Sequence, residues 1–298
     1  MKPISANARG RNSGSKQYIN VGAKLAVASS TITHGSQLTA LNTGVPAGRT
    51  LTNVASTINV TESWITNSNG GSRIIQDRNF LSGATVVIQA NNITIQYCKF
   101  NGVGGMDVSG YTGTQILDCE FDGNHENILD RTALAFEFLT MKRCHIWRWP
   151  RALWIGTGHN YIEECYMHDL TCDGSDAHIT WIYVAGGVSM SFVRNKIISN
   201  RTYIGTDGQI SSALSIYNES WAVFPNLNGI VVQDNYFATD GGYAAYFGAL
   251  AGKLAPPLGL YAINMSVTGN IFGRDEQRYS GIWGAGIGFN TGGVGNVW

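Results

Sequence analysis

The stretch NITIQYCKFNG, residues 92–102, is echoed by TQILDCEFDG, residues 114–123, with the two cysteines 21 positions apart. Both contain the form apolar-x-x-(Cys or Asn)-x-apolar, which occurs seven times: IQYCKF, ILDCEF, MKRCHI, IEECYM, FVRNKI, VQDNYF and VTGNIF. The centres are Cys98, Cys119, Cys144, Cys165, Asn195, Asn235 and Asn270, separated by 21, 25, 21, 30, 40 and 35 residues. A weaker copy, Ile75 to Phe80, lies 20 residues before the first. A minimum period near twenty with longer steps marks a solenoid whose coils keep a constant core and vary their loops.

Within each phrase the apolar residues alternate, as in Ile93, Ile95 and Phe100 or Ile230, Val232 and Phe237. Period two is a strand signal. Each phrase is followed by a turn residue and a second β-like run: ALAFEF, ALWIG, HITWIYVAG, SALSIY, AAYFGA and GIWGAGIG. Two or three short strands per coil, with no helical period between them, predict an all-β parallel β-helix of about seven to eight coils with a short N-terminal extension.

The central Cys or Asn is expected at the bend between two strands, stacked from coil to coil. Asn there can bond neighbouring backbone and tolerates a tight bend, and Cys fills the same small volume without unpaired polar atoms. The four cysteines of the column read as reduced structural thiols, although adjacent coils bring Cα atoms within reach of a disulfide and leave that alternative open. With Cys172 they match no close-paired zinc spacing, and neither a metal nor a cofactor is expected.

Composition agrees with a β-rich chain. Only 13% of the 298 residues are charged, while Gly, Asn, Ser and Thr are abundant. The net charge is zero, so neither nucleic acid nor an anionic membrane is an expected partner. No run of 18 apolar residues appears, and the first twenty residues lack the apolar core of a secretion signal. Charge is unevenly placed: Lys2, Arg9, Arg11, Lys16, Lys24 and Arg49 precede the first acid, Glu62, which leaves the remainder at −6. Residues 1–43 therefore read as a basic, polar attachment arm, with a frayed tail as the bland alternative, and residues 44–298 as the β-helix domain.

The order NTGVPAGRTLT, NNITIQYCKFNG, YIEECYMHDL, FVRNKIIS, VVQDNYFATDGGYAAYFG and NIFGRD…GNVW resembles the pectate-lyase-like right-handed β-helix proteins of actinobacteria and of the tails of phages that infect them. The likeness spans residues 43–298 and is specific for fold but not for chemistry. It implies a phage minor tail protein of tail-tip or tailspike type, located in the virion. Other tail proteins would be bound through the arm and host surface polysaccharide through the β-helix, in a homotrimer by analogy. A secreted extracellular protein is the alternative location.

The 30-, 40- and 35-residue steps place the long loops beside one strand column, which marks the functional side. If Leu153, Ile155, Leu214 and Ile216 point inward, Trp154, Ser215 and Tyr217 point outward; Glu137, Trp181 or Tyr183, Tyr246 and Trp283 join them by looser alignment. Aromatic rings spaced by one coil suit the C–H faces of sugars, so Trp154, Trp181, Tyr183, Tyr217, Tyr246 and Trp283 are the candidate glycan contacts.

The densest ionisable cluster is HDLTCDGSDAHITW, with His168, Asp169, Asp173, Asp176 and His178; Asp207, Gln209 and Glu219 follow one coil later. Glycoside hydrolysis needs two carboxyls roughly 5 to 9.5 Å apart, and Asp176 with Asp207 or Glu219 could supply them. His178 could serve as the base of a lyase. The candidate catalytic set is therefore Asp173, Asp176, His178, Asp207 and Glu219, for a polysaccharide hydrolase or lyase, against the reading that Asp and His in Gly-rich loops cap turns. No acidic quartet with a partnered Arg is evident, and no P-loop, zinc-protease or nucleophile-elbow motif is present in context.

Overall fold

A computed structural model describes residues 32–102, 106–108, 110–124, 132–136, 138–156, 158–172, 179–184, 189–199, 201–204, 210–216, 228–239, 243–247, 265–273 and 282–283. Residues 32–298 form one compact unit. Each repeat phrase supplies two strands and the run after it a third, so three all-parallel sheets stack coil on coil as a parallel β-helix.

Among the described residues, sheet I has eight strands, from Ile74–Gln76 through Thr94–Gln96 to Ser266–Thr268. Sheet II has nine, from Thr52–Val54 through Lys99–Asn101 and His145–Trp147 to Ile271–Phe272. Sheet III also has nine, from Ile58–Thr61 through Arg151–Ile155 and Ile179–Val184 to Ile282–Trp283.

The alternation decides which residues stack inside. In sheet I the inward column is Ile75, Ile95, Ile116, Met141, Ile162, Phe192, Val232 and Val267, each paired with the next. In sheet II it is Phe80, Phe100, Phe121, Ile146, Met167, Ile197, Phe237 and Phe272. Phe80, Phe100 and Phe121 stack with centroids 4.7 and 4.6 Å apart, close to the roughly 4.8 Å separation of paired strands. All of these side chains are buried in one continuous core cluster. Each such side chain contributes about 1.5–3 kcal/mol relative to its exposed state.

The bend between sheets I and II is made one residue before the expected position. The residue preceding each centre has positive φ: Asp77 56°, Tyr97 55°, Asp118 52°, Arg143 51°, Glu164 55°, Arg194 53°, Asp234 55° and Gly269 66°. The Cys and Asn centres are not among the positive-φ residues. The left-handed residue turns the chain and points its own side chain outward. The centre is then aimed into the core, which is why it must be small and either apolar or fully bonded.

Those outward side chains pair along the edge. Arg143 makes two 2.7 Å bonds to the Asp118 carboxylate. Arg194 reaches both Glu164, at 3.1 Å, and Glu163. Lys142 bonds Glu163 at 2.6 Å. Burial pushes the Glu163 carboxyl up, but Lys142, Tyr161 and Arg194 outweigh it and hold the group below its usual range.

A seven-residue helix, Glu62–Ser68, connects the first sheet III strand, Ile58–Thr61, to the first sheet I strand, Ile74–Gln76. Thr61 caps it by accepting from the Trp64 N–H, and Ile65 enters the core cluster. Residues 32–43, expected within the arm, lie instead on the solenoid. Residues 34–49 form a strap that descends the edge coil by coil. The His34 ring bonds the Gly269 carbonyl at 3.0 Å, and the Gly35 N–H donates to the Asp234 carbonyl at 2.8 Å. Lys196 Nζ donates to the Leu38 carbonyl at 3.2 Å, and the Gly44 N–H to the Arg143 carbonyl at 2.7 Å. Val45 N–H donates to Glu120 Oε1 at 3.2 Å. Arg49 then binds Asp77 at 2.6 and 2.7 Å and lies 3.8 Å over the Tyr97 ring. A Cβ on Gly35 would sit 2.0 Å from the Asn195 carbonyl oxygen, so the strap can approach this closely only as glycine.

Candidate functional site

The second β-like runs, the expected functional side, form sheet III. The backbone register places Val87, Asp107, Ala135, Trp154, Tyr183, Ser215, Tyr246 and Trp283 in one column, each opposite the next. Their neighbours Leu153, Ile182, Leu214 and Ala245 form the buried column beside them. Trp154 and Tyr183 are half-buried, each with part of its surface in solvent, and the Arg151 guanidinium lies 5.8 Å from the Tyr183 ring centre. The backbones of Tyr246 and Trp283 occupy the same column. Ser215 is 3% exposed, its hydroxyl 2.6 Å from Ser212 Oγ and 3.3 Å from Thr180 Oγ1, so it joins a buried hydroxyl cluster rather than the surface. Tyr217 and Glu137 lie outside the described residues.

Trp181 is a correction. Its ring is fully buried in the core cluster, so of the two alternatives in that coil Tyr183 holds the outward position and Trp181 does not. The pairing explains the space available to it. Registers on either side place Ala133, Ala152, Trp181, Ala213 and Ala244 at equivalent positions, all buried, and the alanines leave room for one indole. Strict alternation fails at this step of sheet III, because Ala152 and Leu153, or Trp181 and Ile182, are consecutive and both inside. The Trp181 Nε1 meets no acceptor among the described residues.

The catalytic candidates Asp173, Asp176, His178, Asp207 and Glu219, with Gln209, lie outside the described residues. What the structure gives is where their segments begin and end. Leu170–Cys172 and Arg201–Ile204 pair as a small extra sheet, with Cys172 opposite Ile204, and Ile179 pairs with Ile210. Segments 173–178 and 205–209 therefore join equivalent strand pairs in successive coils and lead directly into the sheet III strands that carry Tyr183 and Ser215.

His168 ends the sheet II strand Tyr166–His168 and Asp169 follows it, and there His168 meets a residue that sequence reasoning did not select. His145 Nε2 lies 2.6 Å from His168 Nε2, and His168 Nδ1 is 2.8 Å from the Asp169 carboxylate. The His145 ring stacks on Trp147 at 4.1 Å, and Tyr166 stacks on His168 at 4.3 Å. Burial, with His168 and Lys99 adding to it, pushes the His145 ring down to about 3. Burial also lowers His168, opposed by Asp169. These rings spend their faces on one another, so they offer edges rather than a platform for a sugar. The signal was available: His145 and His168 stand one and three residues after successive ladder centres, both outward on adjacent strands.

Among the described residues no group of three or more His, Cys, Asp or Glu side chains could hold a metal ion. No helix among them is long and apolar enough to cross a membrane. No family model, curated protein or solved structure matches this chain significantly. The class that the fold defines is thus the parallel β-helix.

Proposed function

We propose that this protein is an adhesive solenoid: a phage minor tail protein, of tail-tip or tailspike type, whose sheet III face binds glycans of a host envelope. The observation that carries the reading is the in-register column of Trp154, Tyr183, Tyr246 and Trp283, whose neighbours lie one coil, about 4.8 Å, apart except Tyr183 and Tyr246, which have Ser215 between them. An elongated polysaccharide laid along the axis would meet the half-buried rings of Trp154 and Tyr183 in adjacent coils and pass the backbone positions of Tyr246 and Trp283 further along the same column. The resemblance of the coil phrases to actinobacterial and phage β-helices supports the tail assignment, and the positive charge of Lys2, Arg9, Arg11, Lys16 and Lys24, with no acid among them, suits attachment to other tail proteins. Association of several copies raises avidity without a strong single site.

A second reading, a polysaccharide hydrolase or lyase, is favoured by one observation. The segments bearing Asp173, Asp176 and His178 and the segment bearing Asp207 connect the same strand pairs in neighbouring coils beside that column.

One experiment separates them. Purified protein is incubated with cell envelopes and isolated surface polysaccharides, and both retention and newly released sugar ends are recorded. Adhesion predicts retention without release, weakened about fivefold or more by Trp154→Ala, as expected for loss of a stacking contact of about 1 kcal/mol. Release abolished by Asp176→Asn would establish the enzyme instead, and neither retention nor release on any envelope would overturn both.

A further inference from the structure

The strap and the histidine pair meet at one place. Gly44, with φ +80°, sits so close to the edge that a Cβ there would be 2.7 Å from Glu120 Cγ and 3.0 Å from His145 Cβ. Val45 is held by the Glu120 carboxylate, and Glu120 pairs directly with His145 across sheet II. Residues 38–48 of the strap carry no ionisable side chain. The charged and titratable groups facing the two imidazoles come from the solenoid alone. They are Lys99 and Glu120 in the preceding coils, Tyr166 and Asp169 beside His168, Lys196 in the following coil, and the Asp122–Arg148 pair next to Trp147.

The short contact between the two Nε2 atoms requires one bridging proton, because two lone pairs or two N–H groups would repel. In the neutral pair His168 Nδ1–H donates to Asp169, so His145 Nε2–H donates to His168 Nε2. A first added proton enters at His145 Nδ1 while the Nε2 proton passes across the contact to His168 Nε2, so that His168 carries the charge beside Asp169 and His145, now the Nδ1–H tautomer, becomes the acceptor. A second proton puts N–H on both facing nitrogens, 2.6 Å apart between Lys99 and Lys196, and the contact cannot persist.

We propose that the His145–His168 pair is an acid-sensitive latch for the strap: double protonation drives the rings apart, displaces Glu120 and His145 beneath Gly44, and frees residues 44 and 45 while the coils stay stacked. Opening exposes the Glu120 carboxylate and the His145 edge, which the strap covers at neutral pH.

The test is amide hydrogen exchange on the full chain between pH 7 and pH 3.5, corrected for the intrinsic pH dependence of exchange. Protection at Gly44 and Val45 should fall about tenfold or more on acidification, while the sheet I amides and Gly35 at the far end of the strap keep theirs. His145→Phe, which keeps a ring but removes both nitrogens, should abolish the fall. Asp169→Asn, which leaves both imidazoles in place, should move it to lower pH by removing the carboxylate that favours the charged ring. Protection at Gly44 that is indifferent to pH, that vanishes together with the sheet I amides, or that responds unchanged in Asp169→Asn would overturn the latch.

Discussion

The ladder of centres is one column built from two chemistries, and its halves hold differently. From Cys98 to Cys165 each thiol rests 3.3–3.4 Å from the carbonyl two residues before it and 3.6–4.0 Å from one in the preceding coil. From Asn195 to Asn270 the amides form an unbroken chain. Asn195 Nδ2 donates to the Ile162 carbonyl at 3.0 Å and Asn235 Nδ2 to that of Phe192 at 2.8 Å, while Asn270 Oδ1 accepts from both the N–H and the Nδ2 of Asn235. The thiol half coincides with steps of 21–25 residues and the Phe80–Phe100–Phe121 stack; the amide half coincides with steps of 30–40. Tight coils fold back with little loop to close, and dispersion suffices. Where long insertions add closure entropy at every turn, directional bonds between buried amides hold the register.

The comparison can be broken most violently at the shared core. Phe237→Asp buries an unpaired carboxylate in the amide half and should cost several kcal/mol, seen as loss of cooperative melting; Ile95→Asp does the same in the thiol half. The next effect should discriminate between the halves. Asn235→Cys removes two donors and an acceptor from a buried chain and should cost about 2–4 kcal/mol by urea unfolding. The reverse exchange, Cys165→Asn, extends the amide chain by one link toward the Met141 carbonyl and should change stability by about 1 kcal/mol or less. Equal costs for the two exchanges would remove the distinction.

Acidification acts mainly where the histidine pair lies. Both rings titrate below their unfolded value, so the unfolded chain binds more protons from pH 6.5 down toward about 3. Their contribution to stability is complete above pH 6.5 and is lost as pH falls through that window. The urea midpoint should drop across it, and less so in His145→Phe. The smallest effect belongs to the outer edge: Arg143→Ala breaks a half-buried bidentate pair with Asp118 and should cost about 1 kcal/mol, less at high salt. Thiol chemistry needs no variant to separate the halves. Cys98, Cys119, Cys144 and Cys165 are free and buried, and burial pushes the thiols of Cys119, Cys144 and Cys165 far up. All four should resist alkylation at pH 8 until the protein unfolds, as peptide mass spectrometry can verify.

What was legible in the chain was whatever repeats. The phrase gave away its strands, its inward columns and the outward place of Trp154 and Tyr183, because a side chain that stacks on its own counterpart must recur at the coil period. Trp181 was misjudged because alternation breaks where an alanine column makes room for it, a feature visible only after the coils are paired. The bend was placed on the Cys and Asn centres, whereas the left-handed residues before them are as varied as Tyr97, Arg143 and Asp234 and share no chemistry to notice. The strap left no periodic trace at all. It docks largely through backbone groups and through Gly35 and Gly44, which must be glycine for the close approach yet look like any other glycine in a Gly-rich sequence. His145 and His168 sit on a diagonal, which a search within single coils cannot see.

The strap also sets an order of events. His34 finds its partner at Gly269, 235 residues further along the chain. During vectorial synthesis the first coils can stack as they emerge and receive the Arg49 end of the strap, yet its His34 end must wait until the coil of Asn270 exists. Seating the His34 end is therefore a check on every coil between: a chain interrupted before residue 269 would leave that end of the strap unfastened.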